Sequence, residues 1–184
     1  MGQVKGSAIT ARIRYVREHH GEMAWRQLRD GLPEEHKKTL EAGVLPHSWV
    51  PFPLFITLVE TIDRTFQTGD LSLCREMARY SAEVNLPTLY RLFYKLGSPG
   101  FILKRAARLW EVHYDSGHVE LEDIPDGARM KIVGFDSPHR AHCVSVLAWA
   151  EKSVEMSGGT EIHAVETTCR TRGDELCTME ITWK

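Results

Sequence analysis

A chain of 184 residues in which 23 Lys and Arg stand against 25 Asp and Glu carries a formal net charge of -2. That balance gives no electrostatic case for nucleic acid or an anionic membrane as a partner, and a hydrophobic content of 42% is ordinary for a soluble globule. The length suits a single domain with a real core, 1–184, and a second, catalytic domain is not expected.

The opening "MGQVKGSAITARIRYVREHHGE" lacks an uninterrupted apolar run of the signal-peptide type, and no later stretch is apolar enough to span a bilayer. A cytoplasmic protein is expected. In that reducing compartment nearby cysteines favour burial or metal binding over a disulfide. Helix patterns then cover 8–19, 22–31, 34–42, 53–67, 71–84, 87–96 and 99–109, punctuated by "GLP", "AGVLP", "TGD", "NLP" and "LGSPG". Within "PLFITLVETIDRTF", Phe55, Leu58, Val59, Ile62 and Phe66 recur at helical spacing and mark one buried face. Residues 1–109 therefore read as a helical layer.

From Trp110 the pattern changes. "LWEVHYDSGHVELEDI" predicts two strands around the turn "DSG", and "ARMKIVGF" a third. A long helix follows over "SPHRAHCVSVLAWAEKSVEMSGG", with Ser137 as its expected N-cap. The strands "TEIHAVETTC" and "ELCTMEITW" close the chain as a hairpin around "TRGD". The expected fold is α+β: an N-terminal helical layer packed on an antiparallel sheet of about five strands in 110–184, with one long helix inserted before the final hairpin.

The hairpin holds Cys169 and Cys177, and the geometry links them to the helix. Cys143, Leu147, Ala150 and Val154 share one helical face, while Cys177, Met179, Ile181 and Trp183 share one side of the last strand. On the preceding strand Ile162 and Ala164 lead to Glu166, a carboxylate in an apolar series. From Cys143 to the Gly158 turn is roughly 22 Å of helix, and from Gly159 to Glu166 roughly 23 Å of strand. Cys143, Glu166, Cys169 and Cys177 should therefore meet at one end. Because Glu166 and Cys169 are three apart, a bulge or early turn is required between them. Three thiolates and a carboxylate fill a tetrahedral shell with no vacant position, which suits a structural zinc, with Arg170 and Arg172 placed to offset its negative charge. The alternative is small buried thiols with Glu166 at the surface.

The spacing of Cys143, then Glu166-x-x-Cys169, then Cys177 ahead of "TMEITW" resembles the V4R (4-vinyl reductase) domain. It is most similar to the zinc-binding sensor domains of phenol-responsive transcriptional activators. The resemblance implies the fold shared by V4R, the heme-NO-binding sensors and Bet3-type trafficking subunits, and the helical half is similar in layout to bacterial proteins of that superfamily. It further implies a small hydrophobic or aromatic ligand between helical layer and sheet, a homodimer, and an output through a partner protein. Tyr90, Phe93, Tyr94, Phe101 and Trp110 in "LPTLYRLFYKLGSPGFILKRAARLW" supply aromatics for such a pocket. The Tyr-x-Ser-x-Arg motif of heme-NO-binding sensors is not found, since "RYSAE" around Tyr80 lacks its Arg. His113, His118, His139, His142 and His163 stand as candidate axial ligands for a heme-based gas sensor.

Other chemistries have weaker support. "GFDSPHRAHC" gathers Asp136, Ser137, His139, His142 and Cys143, a possible Cys/His nucleophile, but Cys143 is better used as a ligand. No nicotinamide or flavin fingerprint supports a tetrapyrrole vinyl reductase. A non-enzymatic, zinc-stabilised binding module is expected, with a Bet3-like dimeric interaction protein as the alternative.

Overall fold

The computed structural model describes residues 2–85 and 98–184, and the chain begins there with a short strand. β1 (Gln3–Lys5) pairs antiparallel with β2 (Trp49–Pro51), placing buried Val4 opposite buried Val50. Three residues are too few to show a period, so neither strand was legible in sequence. Between them, α1 (Gly6–Asp30) joins the expected 8–19 and 22–31 helices into one bent unit, broken at Gly21 with φ of 87°. Glycine takes that angle without a Cβ penalty, and the helix turns there.

The helices α2 (Glu34–Glu41), α3 (Phe52–Phe66), α4 (Ser72–Val84) and α5 (Pro99–Arg108) follow the expected order. The helix expected at 87–96 lies outside the described residues. On α3 the predicted face is inside: Phe55, Leu58, Val59 and Ile62 are all buried, and Phe66 stacks on His20 with ring centroids 3.9 Å apart. The same helix holds Asp63, fully buried, whose two carboxylate oxygens accept from Leu71 N at 2.9 Å and Leu73 N at 2.8 Å. It thereby satisfies amide donors at the start of α4, which has no side-chain cap of its own.

The strand expected around 110–114 does not form. Trp110–His113 winds instead into a helical turn, α6, and Tyr114 alone is extended, bridging to Val4. The apparent Trp110, Val112, Tyr114 alternation is misleading because tertiary packing captures the tryptophan. Its ring packs against Tyr114, Phe135 and His142, and its Nε1 donates to the Ser116 carbonyl at 2.9 Å. Val112 is consequently turned outward and is 52% exposed.

The main sheet has four strands among the described residues: β3 (His118–Ile124), β4 (Gly127–Val133), β5 (His163–Thr168) and β6 (Cys177–Thr182). All neighbours are antiparallel in the order β3-β4-β6-β5, so the last strand inserts beside β4. Register puts Ala128 opposite Ile181, Met130 opposite Met179 and Ile132 opposite Cys177, six buried side chains on one face. Helix α7 (Arg140–Met156) lies across this unit, with Cys143, Leu147, Ala150 and Val154 buried as the spacing predicts. Its N-cap, however, is His139, which accepts from Ala141 N at 3.3 Å. Ser137 lies three residues before the helix begins and packs beside Gly2, where an added Cβ would come within 2.9 Å of its hydroxyl oxygen.

Replacing Asp63 by Ala leaves two amide donors at the start of α4 without acceptors. Urea unfolding should show a loss of about 2 kcal/mol or more. An unchanged midpoint would mean that water reaches those amides.

Candidate functional site

The terminal hairpin brings two cysteines to one end of α7 through three local devices. The pairing of β5 with β6 slips between Glu166 and Thr168, the irregularity that parity required. A short 3₁₀ turn, Arg170–Arg172, then reverses the chain and ends at Gly173 with φ of 97°. Asp174 locks the turn by accepting from Cys169 N at 2.7 Å. The result places Cys169 Sγ 3.7 Å and Cys177 Sγ 3.8 Å from Cys143 Sγ, with all three sulfurs within 4.8 Å of one another and buried. All four cysteines are free thiols. Cys74, the remaining one, is buried in α4, apart from this cluster.

The three sulfurs could together hold a metal ion. Burial and the neighbouring sulfurs push the Cys143 thiol far up, and burial also raises Cys177. Cys169 is raised by burial too, yet hydrogen bonds from Thr171 bring it below the ordinary thiol range. Three thiolates side by side would need a metal ion at their centre.

Glu166 is the fourth residue that sequence spacing points to, and its side chain is only 6% exposed. Its Oε2 is paired with Arg140 and, at 3.1 Å, with Arg172. The buried Oε1 has no hydrogen-bond partner among the described residues. Of the two arginines expected to balance the cluster, Arg172 does so; Arg170 instead donates to the Phe135 carbonyl at 2.5 Å, while its backbone N–H reaches Cys177 Sγ at 3.4 Å. Arg140 was missed because it precedes the cluster by one helical turn and carries no spacing signal.

A second feature lies between the helical layer and the sheet: a cavity of about 260 Å³. Phe55, Leu103, Trp110, Val119, Met130 and Trp149 supply much of its apolar lining, with Arg12, His113 and Tyr114 among its polar groups. Trp110 is thus where the sequence reading put it. Tyr90, Phe93 and Tyr94 lie outside the described residues, and Phe101 points away, 55% exposed. Arg12 was overlooked, although Ile9, Arg12 and Val16 form a helical core series and an arginine there is as anomalous as Glu166 among strand alternates.

The histidines separate by environment. His113 lines the cavity, and its Nδ1 lies 2.9 Å from the Leu109 carbonyl. His142 is buried among the rings of Phe52, Trp110, Tyr114 and Phe135, with Nε2 unpartnered among the described residues; burial drives its pKa down to about 3. It is a neutral ring in an aromatic cluster. His118 and His163 are exposed on strands, and His139 caps α7.

A helical layer on a four-stranded antiparallel sheet, with one helix crossing before the terminal hairpin, is the heme-NO-binding type of fold. Solved H-NOX proteins share it over nearly their whole length. One from S. oneidensis in the Fe(II)NO ligation state superposes with a TM-score of 0.76 at 12% identity, covering 98% of this chain and 99% of that one. An Fe(II) unliganded H-NOX mutant from K. algicida gives 0.67 at 13% identity, over 98% and 96%. A Cs H-NOX mutant carrying 4-cyano-L-phenylalanine gives 0.66 at 15%, over 98% and 96%. At such identities the likeness defines the fold alone. No protein-family model and no curated protein matches the sequence.

Truncating Arg140 and Arg172 together to Ala strips Glu166 of its guanidinium partners. A buried carboxylate left so should cost about 3 kcal/mol, read by chemical unfolding. A loss under about 0.5 kcal/mol, the usual effect of a surface change, would show that Glu166 is not held as a buried charge.

Proposed function

We propose that this protein is a non-enzymatic, V4R-like sensor module that holds a small apolar molecule between its helical layer and its sheet. A structural zinc ties the terminal hairpin to α7, and a partner protein reads the occupied state. The observation that carries the reading is the sharing of α7: Cys143 lies in the thiol cluster, and Ser145, Val146, Trp149 and Ala150 of the same helix line the cavity. A ligand therefore presses on the helix that the metal would pin.

The donor set fits zinc. A tetrahedral ion roughly 2.3 Å from each sulfur separates the sulfurs by roughly 3.8 Å, and the distances from Cys143 Sγ are 3.7 and 3.8 Å. Glu166 Oε1, buried and unpartnered among the described residues, is the proposed fourth donor; it lies outside the group of ligand atoms within 4.8 Å of one another, so its side chain would have to move to complete the shell. Such a shell is closed, so the ion would supply folding energy and no reaction. We further infer a homodimer, supported by exposed apolar side chains on the N-terminal half, Met23 at 75% and Leu45 at 58%. No helix among the described residues is long and apolar enough to cross a membrane.

Heme is the second reading, favoured by the H-NOX likeness and by His113, whose Nδ1 contact with the Leu109 carbonyl leaves Nε2 free to face the cavity. The space counts against it. A cavity of about 260 Å³ lies below the usual range of roughly 300–1,000 Å³ for drug-sized ligands, and a tetrapyrrole is larger than most of those. A molecule smaller than heme fits better.

Native mass spectrometry should find two chains and about one zinc per chain, the stoichiometry of a single tetrahedral site. Cys177→Ala should lose the ion and several of the ~10–16 kcal/mol available to structural zinc. A metal-free protein whose melting ignores chelators would sink the zinc assignment. For the cavity, small aromatic compounds should quench tryptophan fluorescence saturably through Trp110 and Trp149. The Bet3-like interaction protein predicts no such saturation.

A further inference from the structure

Arg12 is the one Lys, Arg, Asp or Glu among the described residues of the cavity lining, and it is only 4% exposed. Its guanidinium makes no hydrogen bond or ion pair with any described residue, and its Nε is buried without a partner. The nearest compensation is the face of the Phe55 ring, 5.2 Å from the guanidinium carbon. Burial pulls its pKa down to about 10, which still leaves it charged at neutral pH. An isolated buried cation is costly, and a protein keeps one where something else supplies the anion.

The surroundings say what that anion is. Tyr114 lines the same cavity, is close enough to Arg12 to influence its ionisation, and brings a phenolic hydroxyl. The hydroxyls of Ser81 and Ser145 are already donating to the carbonyls of Ala78 and Ala141. No Asp or Glu is among the described residues that line the space, so nothing anionic there offsets Arg12. A planar guanidinium beside one phenolic donor matches a single carboxylate, which accepts from both. Ser7, Asn85 and His113 add further polar groups, and Phe55, Leu103, Trp110, Met130 and Trp149 give the wall a large apolar and aromatic part. We propose that the cavity binds a small organic acid, with its carboxylate on Arg12 and Tyr114 and its aromatic or aliphatic body against that wall. This rests on the ligand-binding reading above and adds to it the charge and headgroup of the ligand.

The test uses matched acid and amide pairs, benzoate with benzamide, 2-naphthoate with 2-naphthamide and decanoate with decanamide, titrated into the full chain by calorimetry. At least one acid should bind about tenfold or more tightly than its amide, the worth of one charge-assisted contact. In Arg12→Met that preference should fall to within about threefold. The unliganded variant should also melt at a higher temperature, because an uncompensated buried charge has been replaced by an apolar chain of similar length. An arginine with a purely structural role would instead lower the melting point on removal. Tyr114→Phe serves as the milder variant and should weaken the acid alone, by about threefold to tenfold. Acid and amide binding equally would overturn the carboxylate assignment while leaving the ligand cavity standing. If no member of any pair binds, the proposal and the cavity reading fail together. A tetrapyrrole absorption band in the purified protein would overturn it in favour of heme.

Discussion

Everything in this molecule is arranged around the burial of α7 on more than one side. Its buried residues include Ala141, Cys143, Ser145, Leu147, Ala148, Ala150, Ser153 and Val154, which do not fit a single stripe. One side meets the sheet and the other meets α4, which itself buries Cys74, Ala78, Ser81 and Ala82. Small side chains on both helices let the backbones approach closely. The rim of that contact is then sealed by ion pairs: Glu151 with Arg75 and Arg79, and Lys152 with Glu83 at 2.8 Å.

Two buried charges near that helix are treated in opposite ways. Glu166 has guanidinium groups on one oxygen, so half of its carboxylate is paired within the chain. Arg12 has no such partner among the described residues; the Phe55 ring face lies 5.2 Å away, and Tyr114 is near enough to affect its ionisation. A protein of marginal stability does not retain an uncompensated buried cation for packing alone, since a methionine would fill the same space at less cost. Incomplete electrostatics, more than cavity shape, distinguishes this pocket from an ordinary packing defect. In the reading offered above, the thiol cluster would keep the hairpin end of α7 fixed while the cavity senses. Cys143 and Ser145 are two residues apart on one helix, so the two functions would share a rigid element without sharing atoms.

Much of this was determined by the sequence itself. The order of helices, the inward face of α3, the inward series on α7 and β6, and the need for an irregularity between Glu166 and Cys169 all follow from periods of 3.6 and 2 that any reader can count. Such features depend on residues near one another in the chain. The tertiary structure alone decided which strands are neighbours, since nothing local tells β6 to insert between β4 and β5. It also turned Trp110–His113 into a helix through ring contacts with residues more than twenty positions away, and it set Arg140 against Glu166 and Arg12 near Tyr114. A buried charge can be recognised in sequence by the apolar series it interrupts. What neutralises it depends on which distant side chains the fold brings within hydrogen-bonding reach, and spacing along the chain carries no record of that.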